Sequence, residues 1–257
     1  MPPATMPWMA GFDLEGVFAG DDYLYFSYPD KEAGDARSDV EAGQVAGLLE
    51  LRAGMRVLDA PCGHGRIAQR LAERGCQVVG IDQAAHFVDL AKRNAAARGL
   101  DVEYRVGDLR ALDAGPEFDA VISWFTSFGY FDDPTDRDIL RRYHAALKPG
   151  GRLLLDHLNR DRLLRFFNPG SDHAQEVGED LMLDRSTFDP VSGRVATTRF
   201  ISRGGRMRRT RFSLRVFAFT EIRDWLGDAG FHDVQACDRD GARFEVDSAR
   251  MVVLASA

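Results

Sequence analysis

Residues 57–68, VLDAPCGHGRIA, constrain this chain more tightly than any other stretch. An apolar pair, Val57 and Leu58, runs into an acid, Asp59. An Ala60-Pro61-Cys62 turn follows, then Gly63-His64-Gly65, then a helical run opening at Arg66. The order is strand, glycine loop, helix start. Glycine lacks a Cβ and accepts positive φ, so a ligand can touch bare backbone. The helix behind it offers unpaired N–H groups at its N-terminus. A nucleotide-like ligand belongs on such a loop. Gly63-x-Gly65-x-x-Ala68 fits the loose dinucleotide pattern, and the acid Asp82 follows at a suitable distance. Asp59 argues the other way: an anion there would repel a pyrophosphate and suits a cationic, amine-bearing ligand. Pro61 fixes φ and removes a donor, which stiffens the loop without closing it.

The punctuation downstream repeats this unit. A helix Arg66–Arg74 stops at Gly75, and a strand from Cys76 ends in Asp82. A helix over 84–98 is closed by Gly99, and a strand Val102–Val106 leads to Gly107-Asp108-Leu109. Phe118-Asp119 opens a strand that exits through Ser123 and Trp124. A helix over 135–147 ends at Lys148-Pro149-Gly150-Gly151, and a strand Arg152–Asp156 follows. Strands alternating with helices at this spacing predict an α/β, doubly wound parallel sheet. Ligands then bind outside the carboxyl ends of the strands, where Asp59, Asp82, Asp108 and Ser123 fall.

Ahead of the loop, 38–51 has helical spacing, with Ser38 and Glu41 as a capping box. After the fifth strand the pattern changes. A polar loop-and-helix stretch spans 159–180, with Asn168-Pro169-Gly170 as a turn. Three or so antiparallel strands are expected, over 181–188, 194–202 and 206–219, joined by Asp189–Gly193 and Gly204-Gly205. A helix over 220–230 and two strands, near His232–Asp238 and Arg250–Ala255, complete the chain.

Composition excludes several classes. With a net charge of −7, nothing global favours a nucleic-acid partner. Three cysteines without disulfide spacing suggest a reducing, cytoplasmic setting. No signal peptide is expected, because MPPATMPWMAGF lacks a basic region followed by an apolar one. No stretch approaches the roughly 18 apolar residues of a membrane span. The histidines and cysteines show no metal-ligand spacing, so no metal is expected. Seven arginines between 199 and 215 alternate with apolar residues as on a half-buried strand. That strip reads as a solvated strand face, as a lid contact to an anionic substrate, or as a nucleic-acid surface.

Five signals in this order resemble the class I S-adenosylmethionine (SAM) methyltransferases of small molecules. Asp59 with Gly63 and Gly65 resembles their first motif, with Pro61 where the family usually has a glycine. Asp82 resembles the acid that ends the second strand, Gly107-Asp108-Leu109 the adenine motif, Phe118-Asp119 the fourth-strand entry, and Leu147–Arg152 the turn before the fifth strand. The likeness spans about 38–158, with a weaker match over 219–231. It implies a Rossmann-like, mostly parallel seven-stranded sheet with an antiparallel β insertion after the fifth strand. It also implies an N-terminal arm or flap over 1–37, a SAM-binding core over 38–158 and 219–257, and a lid over 159–218. A homodimer through the lid strands is a further expectation.

The resemblance assigns SAM, leaving S-adenosylhomocysteine (SAH), to Asp59, Ala60, Cys62, Gly63, Gly65, Asp82, Gln83, Asp108, Leu109, Ser123, Trp124 and Tyr28. Asp82 would take both ribose hydroxyls. Asp108 would accept from the adenine amine and the Leu109 N–H would donate to the ring. Phe125, Tyr130, Tyr23 and Arg215 are assigned to the substrate. The aromatic cluster Tyr23, Tyr25, Phe26, Tyr28 is either a staple that seats the arm or a flap whose hydroxyls reach the site. His157, beside the expected pocket, is the candidate base for an O-methyl transfer, with Tyr25 as a second catalytic candidate. His64 is expected to contact the cofactor or shape the loop. The fourth-strand exit lacks the [Asn/Asp]-Pro-Pro-[Tyr/Phe] signature of base-amino methyltransferases, which points to a small molecule. The expected reaction is therefore methyl transfer to an N or O atom of a small molecule, such as a secondary metabolite. An NAD(P) oxidoreductase using the same loop and a non-catalytic SAM-binding module are the alternatives.

Overall fold

The computed structural model describes residues 12–18, 20–168 and 172–257. The loose N-terminus expected over 1–12 and the turn at Asn168-Pro169-Gly170 lie almost wholly outside these residues. Seven strands form the central sheet: β1 (Arg56–Asp59), β2 (Gln77–Asp82), β3 (Val102–Val106), β4 (Phe118–Ser123), β5 (Leu147–Leu158), and, near the C-terminus, β10 (His232–Cys237) and β11 (Arg250–Ser256). Their order is β10-β11-β5-β4-β1-β2-β3. β11 runs antiparallel to both its neighbours, and the other contacts in the sheet are parallel.

Helices cover both faces. One core lies against α6 (Asp133–Ala146) and α8 (Phe219–Asp228) and holds Leu153, Leu155, Tyr143, Trp225 and Met251. The other lies against α3 (Lys31–Leu48), α4 (Arg66–Glu73) and α5 (Ala85–Ala97) and holds Val45, Val57, Leu71, Leu154 and Val252. Alternation along β5 distributes its leucines between the two. The Lys148–Gly151 turn is absorbed into β5 as an irregularity, where Gly150 takes φ of +76°.

Two expectations are corrected. Helix α3 begins at Lys31, capped by the Asp30 side chain on the Ala33 N–H. The expected arm boundary at 37 therefore falls inside a helix. Ser38 is no cap: its hydroxyl donates to the Gly34 carbonyl one turn back. Glu41 faces inward and is buried.

The insertion holds four strands rather than three: β6 (Asp172–Val177), β7 (Asp180–Asp189), β8 (Arg194–Arg203) and β9 (Arg206–Arg215), all antiparallel. β6 escapes the sequence because it is an edge strand with little apolar character. Helix α7 (Arg160–Phe166) leads into it. Both expected turns are present, and Gly204 and Gly205 take φ of +56° and +73°.

The arm folds onto this sheet through α1 (Leu14–Phe18) and α2 (Asp22–Ser27). Phe26 is fully buried against Met182 and Ile201. Arg203 ion-pairs with Asp21 and Asp22, and Arg208 pairs with Asp22. The arginine strip is thus largely answered by acids: Asp184 takes Arg199 and Glu221 takes Arg215.

Candidate active site

The glycine loop sits at the carboxyl end of β1. Gly63 and Gly65 take φ of +54° and +78°, the left-handed region open to glycine. A Cβ on Gly65 would lie 2.3 Å from the Tyr104 hydroxyl, whereas one on Gly63 would meet nothing within 4 Å. The loop is therefore packed on its core side at Gly65 and open at Gly63. The Cys62 carbonyl accepts from Gly65 N–H at 3.0 Å, and Gly65 caps α4. The Cys62 side chain lies beneath the loop, near Gly80, and burial pushes its thiol up. The Ala60 carbonyl accepts from the Tyr143 hydroxyl at 2.7 Å.

Asp59 and Asp82 end adjacent strands and are buried. Burial raises the Asp59 carboxyl to about 7; nearby Arg66 opposes the rise and Asp82 adds to it. Asp59 Oδ2 is buried without a hydrogen-bond partner. Asp82 accepts from the Gly63 and Ala84 N–H groups, both at 2.8 Å. Each of its oxygens keeps a second lone pair. Gln83 beside it is exposed. Asp108 caps the 3-10 turn Leu109–Ala111, and its carboxylate is held by the Arg110 guanidinium at 2.6–3.0 Å. Ser123 is fully buried at the end of β4.

The arm closes the near side. Tyr28 stands edge-on to His64 at 5.3 Å, under Arg37 at 4.5 Å. Its hydroxyl is buried and unpartnered, as is Nη2 of the neighbouring Arg66. Burial pulls the His64 imidazole down to about 4. Tyr23 contacts Phe18 and Phe87, and burial raises its phenol. Tyr130 meets Phe18 from the far side, at 6.0 Å.

Four of the assigned residues have other partners in the structure. His157 is fully buried, with Nδ1 and Nε2 against the Leu158 and Phe128 carbonyls at 3.2 and 3.1 Å. Burial lowers it to about 4, and it packs on Phe217 in the α6–α8 core. Tyr25 donates to the Val177 carbonyl and lies under Arg203, so its hydroxyl docks the arm on the lid. Arg215 holds the Gly193 and Val216 carbonyls and Glu221, tying the lid base to α8 rather than facing a substrate. Trp124 is buried toward α3, its indole N–H donating to Glu41 at 2.8 Å, with Arg239 over its ring at 5.1 Å.

That last contact opens a network the sequence reading missed. Glu41 also binds Arg66 at 2.6 Å and Arg239 at 3.0 Å. Arg239 reaches Asp156 at 3.0 Å, and Asp156 takes Arg250 at 2.9 Å. Glu41 lies on the stripe Ser38, Ala42, Val45, and an acid on a buried stripe was the available signal. Over the network stands Phe125, whose N–H donates to Asp156 Oδ2 at 2.9 Å. Phe125 and Thr126 take φ of +64° and +59°, rare for side-chain-bearing residues and frequent at functional sites. Beyond β5 a cavity of about 480 Å³ is lined by Leu158, Asn159, Phe166, Phe167, Asp184 and Ala249, among others. It does not include the glycine loop.

A sheet in this order, with acids at successive strand ends around a glycine loop, defines a Rossmann-like nucleotide-binding enzyme fold. Comparison with known proteins narrows it. A methyltransferase-domain family model matches residues 57–151. Over 205 residues the chain is 32% identical to a glycine/sarcosine N-methyltransferase of Parasynechococcus marenigrum, covering 78% of this chain and 71% of that protein. Over 128 residues it is 42% identical to a ubiquinone biosynthesis O-methyltransferase of Xanthomonas axonopodis pv. citri, covering 49% and 52%. The chain thus spans about half the length of that curated relative. The CcbJ methyltransferase of Streptomyces caelestis superposes with a TM-score of 0.76 at 24% identity, covering 91% of this chain and 96% of that one, a likeness of fold. The chain belongs to the class I SAM-dependent methyltransferases. Nothing in the fold or in these relatives supports the NAD(P) oxidoreductase alternative. Among the described residues, no helix is long and apolar enough to cross a membrane.

Proposed function

We propose that the chain transfers a methyl group from SAM to an N or O atom of a small molecule. The observation that carries this is a trio of buried, unpartnered polar atoms: Asp59 Oδ2, Arg66 Nη2 and Tyr28 Oη. An anion, a guanidinium donor and a hydroxyl together complement the ammonium and carboxylate of one amino-acid end. An unpaired buried polar group is costly, and such a ligand relieves all three. Asp82 keeps lone pairs for two ribose hydroxyls, and Asp108 lies two strands over for a base amine. Gly63 leaves the approach to the loop open.

When bound, SAM supplies a methyl on a sulfonium, already electrophilic, so the residues around it have mainly to position the acceptor. We assign Phe125, Tyr130 and Tyr23 to the acceptor, and their rings suit a flat or apolar one. Burial raises the Tyr23 and Tyr130 phenols, so both stay neutral. Asp156 is fully buried and spent on Arg239, Arg250 and Phe125. With no base at His157, the reaction is best served by an acceptor that arrives with a free lone pair, such as a neutral amine. The printed activities of the relatives, one N-directed and one O-directed, support the reaction class.

The free cysteines Cys62, Cys76 and Cys237 support a reducing, cytoplasmic setting. Met207, 76% exposed on β9, supports pairing of two lids in a homodimer, which light scattering tests. The main reading is tested by calorimetry with SAH and NAD, followed by methyl transfer from labelled SAM to a panel of small amines and phenols. Binding of NAD without SAH would sink it.

A further inference from the structure

The surroundings of Phe125 carry more than a flat wall. Guanidiniums of Arg37, Arg66, Arg239 and Arg250 lie 5.7, 5.2, 5.4 and 5.8 Å from its ring centre. Arg37 is exposed; the other three are buried or nearly so, with side-chain exposures of 9% for Arg66, 22% for Arg239 and 13% for Arg250. Among the described residues their ion-pair partners are Glu41 and Asp156, so three guanidiniums share two carboxylates in direct contact, while Asp59 acts on Arg66 from the glycine-loop side. The ring quadrupole offsets part of the guanidinium charge, not all of it.

Some of the donors are unmatched. Arg239 Nε is buried without a partner. Arg250 spends Nε and Nη2 on Asp156 and Thr126, leaving Nη1 without a partner among the described residues. Arg250 pairs across the sheet with Leu158, next to Ala249, and both of these line the cavity. It also lies within electrostatic reach of Tyr130. Arg66 follows Gly65 in the glycine loop, whereas Arg239 and Arg250 do not adjoin the loop in sequence and carry the open donors. The backbone is bent beside them: Phe125 and Thr126 hold their left-handed geometry through N–H bonds to the side chain and carbonyl of Asp156.

We propose that the methyl acceptor carries a carboxylate, received by the guanidiniums of Arg250 and Arg239, with the reacting nitrogen or oxygen turned back toward the glycine loop. A planar carboxylate matches the open donors and the fork geometry of a guanidinium. The proposal rests on the methyltransferase reading above. The amino-acid end of the cofactor is assigned to Asp59, Arg66 and Tyr28, so it leaves the open donors of Arg239 and Arg250 for the acceptor.

The test is calorimetric titration of the SAH-loaded protein with paired probes: benzoate and benzamide, 4-aminobenzoate and 4-aminobenzamide, sarcosine and sarcosinamide. At least one carboxylate should bind tenfold or more tightly than its amide, and the preference should fall below threefold in Arg250→Gln. If no carboxylate in the panel outbinds its amide on wild-type protein, the proposal is overturned, whether or not Arg250→Gln folds. An unchanged preference in a folded Arg250→Gln would also overturn it. Failure of SAH to bind at all would instead count against the methyltransferase reading, so the two failures are separable.

Discussion

Replacing Asp59 with asparagine should separate what this carboxylate does for binding from what it costs the fold. Its carboxyl titrates near 3.8 when unfolded and at about 7 in the buried strand end. The folded state therefore holds the proton more tightly, and the associated stability is full below 3.8 and lost as pH rises through 7. A shift of this size corresponds to something on the order of 4 kcal/mol, of which roughly 2.5 kcal/mol is lost between pH 5 and 8. Asparagine cannot titrate. Urea unfolding at several pH values should show Asp59→Asn gaining on the wild type by about that amount as pH rises from 5 to 8. The same variant should bind SAH at least tenfold more weakly, about 1.4 kcal/mol, because the ammonium loses its counter-ion. Wild-type SAH binding at pH 6 should release close to one proton, a signal that fades above pH 8. A stability gap independent of pH, together with unchanged SAH affinity, would refute both halves of the argument.

Other substitutions probe the remaining joints. Gly65→Ala combines a left-handed backbone with a Cβ 2.3 Å from the Tyr104 hydroxyl. It should cost roughly 2–3 kcal/mol by denaturant unfolding and weaken SAH binding, with part of the stability restored by Tyr104→Phe. Glu41→Gln leaves Arg66 and Arg239 short of a buried counter-charge and should cost about 3–5 kcal/mol, visible also in Trp124 fluorescence; a loss under about 1 kcal/mol would mean the network is wetter than it looks. His157→Gln should lower thermal stability yet leave the shape of the pH–rate profile intact, whereas a vanished acid limb would restore His157 as a base. Arg215→Met should lower Tm with the KM for the acceptor unchanged, and a raised KM would return it to the substrate site.

Strand ends and glycine punctuation are local signals, so the central sheet and the position of its acids were legible from the chain alone. β6 was not, because an edge strand such as DHAQEV carries its backbone pairing without an apolar pattern to announce it. Glu41, Arg239 and Arg250 were not, because their meeting depends on α3 and β11 crossing the same end of the sheet from opposite ends of the chain. The choice between Asp156 and His157 shows the difficulty most sharply. They are neighbours at the same strand end, and chemistry alone favours the imidazole as a base. Strand parity decides otherwise, since adjacent side chains leave a sheet on opposite faces. Leu153 and Leu155 pack toward α6 and α8, and His157 follows them, against Phe217. Leu154 packs toward α3 and α4, and Asp156 follows it, toward Phe125 and the arginines. The parity was present in the sequence, in the leucine run leading up to both residues, but it acquires meaning only once it is known which helices cover which face. A candidate base at a strand end is therefore better chosen by asking which apolar neighbour two residues back shares its face, and what that face is packed against, than by its side-chain chemistry.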